Sequence, residues 1–310
     1  MSDGEVIDVT SCDEACLSSA NARVSGAGAD TLTYLLTFVF LCYCLFFVAL
    51  LAKCFCGRTR RGSPVAGDVA FRQFDTEPTH DLQNKMVAEL DQQWRKAFIG
   101  KVYTILGMQL FVTTCISALM MIYGGADLAR WSRTEGMWAY WLSLIGTFVT
   151  LGLTICFRTK SPHNLLLLGL FTLFESYMVG MICSYYAAAG YSALVVEALA
   201  ITSVIFVALT LFTMQSKINF DFLGVGLGVA LLVLLMWGMF SFLFFDSFVM
   251  RQMYALGGAV IFALFVVYDT HVVINRLSYD EYILGAINLY LDFINLFLFI
   301  LQLLTGGRRD

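Results

Sequence analysis

Three carboxylates of this chain lie inside segments that are otherwise almost wholly apolar. They are Glu175 in LFTLFESYMVG, Asp269 in LFVVYDTHVV and Asp292 in NLYLDFINLFLFILQ. An ionisable side chain at the centre of a bilayer costs about 2.5 to 3.5 kcal/mol on insertion scales, so such residues mark functional sites by default. The alternative for each is a protonated hydrogen-bonding residue between helices that has no role in transport.

The last of these segments carries a polar stripe. Steps of three or four residues lead from Gly285 to Asn288, Asp292 and Asn295, which places all four positions on one face of a helix. A polar stripe cannot face lipid, so we expect it to face the interior of a helix bundle or a hydrated cavity. Asp269 lies on the preceding segment and is the expected partner of Asp292.

Two carboxylates that share a site cannot both ionise at low cost, so the pair would hold a single proton and act as a pH switch. When deprotonated, Asp269 and Asp292 could also bind a hard cation transiently, with Asn288 and Asn295 as neutral oxygen donors. Arg158, in ICFRTK at the end of an apolar segment, could pair with a carboxylate near the cytosolic side. It could equally be an ordinary basic anchor at the membrane surface.

The composition of the chain indicates that membrane-spanning helices hold these residues in place. The chain is 59% hydrophobic with a mean hydropathy of +0.76, and 14% of its residues are charged, which predicts an all-α integral membrane protein. A net charge of −4 leaves no basic face for nucleic acid. Apolar windows long enough to span a bilayer occur at 32–52, 99–122, 138–157, 163–186, 193–214, 222–245, 251–274 and 281–303.

The first window stands apart from the other seven, which indicates five regions. Residues 1–31 form an acidic tail that we expect in the lumen or outside the cell, and 32–52 form a transmembrane anchor. Residues 53–96 begin with basic side chains and read as a cytosolic linker that is partly disordered. Residues 97–304 form the seven-helix bundle, followed by a short tail at 305–310.

Two cysteines flank the predicted cytosolic end of the anchor. Cys54 and Cys56 are candidate palmitoylation sites, and the alternative is that they pack at the membrane interface.

Several motifs together resemble one known family. YDTH at Asp269 and EYILGAINLYLDFINLFLFILQLL, preceded by AFIGKVYTILGMQL and VVEALAITSVIFVALTLFTMQSK, are similar to the Bax inhibitor-1 family of transmembrane Bax inhibitor motif proteins. Within that family they resemble the lifeguard and glutamate-receptor-associated branch. The likeness covers about residues 95 to 304.

The resemblance implies a seven-helix bundle, here preceded by one extra transmembrane helix. It also implies a pH-gated Ca²⁺ leak channel of an intracellular membrane, with calcium homeostasis and suppression of cell death as its output. The family's two gating aspartates fall on Asp269 and Asp292, and its latching arginine falls on Arg158. Asn288, Asn295 and Glu175 are the remaining candidates for a polar path, and Ca²⁺ is expected as the permeant ion, with no cofactor.

Two other readings remain open. A non-conducting scaffold could bind regulators of cell death or calcium-handling membrane proteins. An intramembrane aspartyl protease also uses two aspartates on neighbouring helices, but its Gly-x-Gly-Asp and Pro-Ala-Leu motifs do not occur in this sequence, so we expect no enzyme. The endoplasmic reticulum and the Golgi are the expected membranes, with the plasma membrane as the alternative.

Overall fold

The structure is a computed structural model that describes residues 77–157, 162–244 and 247–307. The regular structure of these residues is entirely helical, which confirms the predicted fold class. A π-helical turn, Met120–Gly124, joins the first two helices, and a 3₁₀ turn, Tyr279–Glu281, precedes the last one. The α-helices are α1 (Glu77–Leu119), α2 (Gly125–Thr134), α3 (Met137–Cys156), α4 (His163–Ala188), α5 (Ser192–Gln215), α6 (Leu223–Phe244), α7 (Phe248–Asn275) and α8 (Tyr282–Gly306).

Seven helical segments of the described residues are long and apolar enough to cross a membrane, and they match the seven windows predicted for the bundle. The predicted anchor at 32–52 lies outside the described residues. Helix α1 begins at Glu77, well before the predicted start of the bundle at Ala97. The intervening sequence is rich in Leu, Gln, Lys and Glu, which favour helix even where no apolar stripe is present.

Helix α8 is the centre of the bundle. In its most apolar stretch 89% of the residues are buried, against 22% to 56% for the other six spans. It contacts α1, α4, α5 and α7, while α3 packs on α4 and α6 packs on α7. The residues that flank Asp292 are therefore held on all sides by protein.

Threonine side chains within the spans largely satisfy their own hydroxyl groups. Thr154, Thr202, Thr213 and Thr305 each donate to the backbone carbonyl four residues earlier, at 2.7 to 2.9 Å. This bond lets a polar residue lie in a membrane helix without a partner on another helix.

Candidate functional site

Asp269 of α7 and Asp292 of α8 meet in the interior of the bundle. Their side chains are nearly inaccessible, at 4% and 1% exposure, and the two carboxyl groups are close enough to interact electrostatically. The structure thus brings together the two aspartates that the sequence predicted as partners.

The polar stripe of α8 surrounds this aspartate pair. Asn288 is close enough to Asp269 to interact with its carboxyl group, and Asn295 is buried one turn beyond Asp292. Among the described residues, no N–H or O–H group donates a hydrogen bond to either carboxyl oxygen of Asp292. Two ionised carboxylates at such a place repel one another, so a buried pair of this kind favours states in which the pair carries a proton.

The turn between α7 and α8 fixes the register of the pair, and α1 holds that turn. The guanidinium of Arg95 donates to the carbonyl oxygen of Leu277 at 2.8 Å and lies 5.0 Å from the ring centre of Tyr279. The ammonium of Lys101 lies 3.4 Å from the ring centre of Tyr282. Contacts of a cation with an aromatic face stabilise this loop where it meets α1.

A further contact links α1 to α7 next to the pair. The hydroxyl oxygens of Tyr103 and Thr270 are 3.3 Å apart, and Thr270 directly follows Asp269. Helix α1 therefore contacts both the hairpin turn and the segment of α7 that carries the aspartate.

A second set of buried polar side chains, which we call the hydroxyl cluster, joins α1, α4 and α8. Thr113 is at its centre, with its hydroxyl oxygen 2.9 Å from that of Ser176 and 2.8 Å from that of Tyr290. The Gln109 amide donates to the Thr172 hydroxyl at 3.0 Å. Gln109 and Thr113 are four residues apart on α1, and this spacing is the sequence signal that could have pointed to them.

Glu175 is buried on α4, at 9% exposure. Its carboxyl is close enough to the phenol groups of Tyr140 and Tyr290 to interact with them electrostatically. It therefore borders the hydroxyl cluster, and its predicted place on a polar path stays a prediction.

A cluster of charged groups that the sequence did not predict lies at the end of α7 nearest the aspartate pair. Asp221, between α5 and α6, contacts the Arg276 guanidinium at 2.5 Å, and a carboxyl oxygen of Asp221 is 3.6 Å from Nδ1 of His271. The hydrogen bond from Arg276 lowers the pKa of the Asp221 carboxyl. The signal in sequence was the single acid in QSKINFDF, between two apolar windows.

Three residues of the predicted site cannot be placed. Arg158, Cys54 and Cys56 lie outside the described residues, so their assignments stay predictions. Within the described part of the chain, no group of three His, Cys, Asp or Glu side chains could hold a metal ion. Any Ca²⁺ bound by the aspartate pair would have to complete its coordination with neutral oxygens or water.

The residues of the helical bundle match a known family of proteins. The family model described as "Inhibitor of apoptosis-promoting Bax1" matches residues 95–310. The Golgi anti-apoptotic protein of Vaccinia virus (strain Lister) is 38% identical over 226 residues, which cover 72% of this chain and 91% of that protein.

Cellular proteins of an animal and a plant are also similar to this chain. Protein lifeguard 4 of Mus musculus is 38% identical over 223 residues, covering 72% of this chain and 90% of the relative. Protein LIFEGUARD 2 of Arabidopsis thaliana is 33% identical over 236 residues, covering 73% of this chain and 97% of the relative. These matches confirm the resemblance seen in the last-helix signature, and the chain belongs to the Bax inhibitor family.

Proposed function

We propose that this protein is a Ca²⁺ leak channel of an intracellular membrane, controlled by protonation of the aspartate pair. The observation that carries the proposal is the meeting of Asp269 and Asp292 in the interior of a membrane bundle, where no other group of the described residues donates to Asp292. Buried carboxyls in membrane proteins occur chiefly on ion and proton pathways.

In this proposal the singly protonated pair joins α7 to α8, and α8 fills the path. Changing the number of protons on the pair weakens the contact between the helices and exposes carboxylate oxygens to a cation. Asn288 and Asn295 would add neutral oxygen ligands, as Ca²⁺ prefers. Arg158 would hold the closed form, as the family resemblance implies.

The proposed cellular role rests on the relatives. One of them is named a Golgi anti-apoptotic protein, which supports a Golgi location and suppression of apoptosis for this chain. The endoplasmic reticulum is the second candidate membrane. We propose no enzymatic activity and no cofactor, with membrane lipid, Ca²⁺ and calcium-handling or apoptosis-regulating membrane proteins as partners.

The proposal is tested by Ca²⁺ efflux from liposomes that contain the purified protein. We expect wild type to leak Ca²⁺ at a fixed neutral pH, and Asp269→Asn and Asp292→Asn to change the rate about tenfold or more. A shift of about 1.4 kcal/mol between closed and open forms already changes their ratio tenfold. Asparagine keeps the size of aspartate and can still donate a hydrogen bond, so the helices can stay in contact.

The matched control is Asp280→Asn, which removes an exposed carboxylate from the turn between α7 and α8. This variant should leak like wild type. If none of the proteins releases Ca²⁺ from the liposomes, the channel proposal is wrong for this chain, and the non-conducting scaffold becomes the better account.

A further inference from the structure

A cleft of about 190 Å³ enters the bundle between α1 and α5. Thr114 of α1 and Val196 of α5 line the cleft and are exposed, so they form its rim at the surface of the helix bundle. Phe293 and Phe297 of α8 also line it but are 6% and 4% exposed, so they form its floor. The cleft therefore leads from the surface of the bundle to its central helix.

Bilayer hydrocarbon is the medium at the mouth of this cleft. Both rim residues belong to segments that are apolar and long enough to span a membrane, Gln92–Gly124 and Ser192–Gln215. The lining is almost wholly apolar. An apolar cavity of about 150 Å³ stays dry and accepts a hydrocarbon the size of benzene, so this cleft has room for a segment of an acyl chain.

The cleft also has the length and the polar contact that such a chain needs. Its wall on α1 runs from Leu110 to Ala118, roughly 12 Å at 1.5 Å per residue, and continues to Met121 in the π-helical turn. Ser117 lines the cleft and is 9% exposed, and its hydroxyl has no hydrogen-bond partner in the described part of the chain. A buried hydroxyl without a partner is costly, and rotation of the Ser117 side chain toward the cleft would let an ester carbonyl accept its hydrogen bond.

We propose that this cleft binds the acyl chain of a bilayer lipid, with its ester carbonyl accepting a hydrogen bond from Ser117. The chain lies against Phe293 and Ile294, which directly follow Asp292 on α8. It also contacts Thr113, whose hydroxyl bonds that of Tyr290. The bound lipid thus packs directly on the helix that carries the aspartate pair. This site is independent of whether the protein conducts Ca²⁺.

Photo-crosslinking tests the proposal. The purified full-length protein is placed in liposomes that contain a phosphatidylcholine with a diazirine in its acyl chain, and labelled residues are mapped by mass spectrometry. We expect label at the buried floor residues Phe293 and Phe297 as well as at the exposed Val225. If the wild-type protein is labelled at Val225 but not at Phe293 or Phe297, the proposal is wrong, and no variant is needed to show it.

Two pairs of variants define the site. Leu199→Trp fills the cleft and should reduce floor labelling several-fold, whereas Val204→Trp, at a 70% exposed position of the same helix, should leave it unchanged. Ser117→Ala should reduce floor labelling and Ser117→Thr, which keeps the hydroxyl, should retain it. Equal labelling in Leu199→Trp and Val204→Trp would contradict the proposal.

Other occupants give different results. A photoreactive sterol that labels the floor in preference to the acyl probe would overturn the assignment to an acyl chain. Crosslinks between two copies of the protein at Val196, with no lipid label at the floor, would show a protein interface there instead.

Discussion

At the residue scale, the two aspartates of the pair have different surroundings. Asp269 has Asn288 beside it, whereas the carboxyl of Asp292 has only Asp269 as a polar partner among the described residues. An ionised Asp292 would be a buried charge with no hydrogen-bond donor, which is costly, and the proposed shared proton would remove that cost. The same asymmetry makes Asp292→Asn a mild structural change, since its amide can donate to Asp269.

Asp221 supports a prediction about stability and pH. Its pKa is lowered chiefly by the hydrogen bond from Arg276, so the folded protein favours its ionised form. A carboxyl of this kind contributes stability above its unfolded pKa, and loses that contribution as the pH falls through the folded value. We expect Asp221→Asn to lower the thermal unfolding midpoint in detergent at neutral pH, and the difference from wild type to disappear in acid.

The control for this prediction is Asp127→Asn. Asp127 also pairs with an arginine, Arg130 at 3.0 Å, but the two side chains are 91% and 78% exposed. Exposed pairs of this kind contribute little to stability, so the midpoint should not move. If the Asp221→Asn difference persisted unchanged in acid, the ion pair would not be its cause.

The sequence predicted which carboxylates lie inside the bundle and which two of them are partners, whereas the chemistry of the pair stays a prediction. Charge in an apolar segment pointed to Glu175, Asp269 and Asp292, because such residues are costly in a membrane. Asp269 and Asp292 could be paired because they lie on consecutive spans, whereas the neighbours of Glu175, Tyr140 and Tyr290, depend on helix packing that no pattern in the sequence indicates. Asp221 carried no such signal, because a charged residue between two spans is ordinary.

At the element scale, the contact between α7 and α8 depends on a glycine. A methyl group added at Gly258 would overlap the ring of Phe299 on α8. That ring packs against Phe262 and Tyr254, with centroids 5.8 and 5.6 Å away, so it has little room to move. Small residues let membrane helices approach this closely.

We therefore expect Gly258→Ala to destabilise the protein by about 1 to 3 kcal/mol, which is typical of overpacking. The thermal unfolding midpoint should fall by roughly 2 to 4 °C per kcal/mol for a protein of this size. The adjacent Gly257→Ala is the control, because the nearest side-chain atom to an added methyl group is Leu234 at 4.0 Å. Equal midpoints for the two variants would contradict the close approach seen here.

The apolar windows predicted the seven bundle spans because hydropathy alone determines which segments can cross a bilayer. Two features of the elements had no such signal. The first turns of α1 are polar, and α2 is a short helix between two spans, so neither produces an apolar window. Both depend on local helix propensity, which is a weaker guide than burial.

At the scale of the whole molecule, a central helix surrounded by α1, α4, α5 and α7 carries the polar stripe. The aspartate pair joins it to α7, the hydroxyl cluster joins it to α1 and α4, and the cleft borders it between α1 and α5. A change at any of these places alters the packing of one helix. This arrangement explains how protonation at one buried pair could control the whole bundle.

The pH dependence of Ca²⁺ efflux from liposomes tests this account most directly. We expect the wild-type rate to titrate between about pH 5 and pH 8, and Asp269→Asn and Asp292→Asn to lose that titration. His271 is the decisive control, because it lies two residues after Asp269 on α7 and histidine is the side chain most often responsible for pH responses near neutrality. The account predicts that His271→Gln keeps the wild-type titration. Retention of the titration in both aspartate variants, with its loss in His271→Gln, would contradict the account.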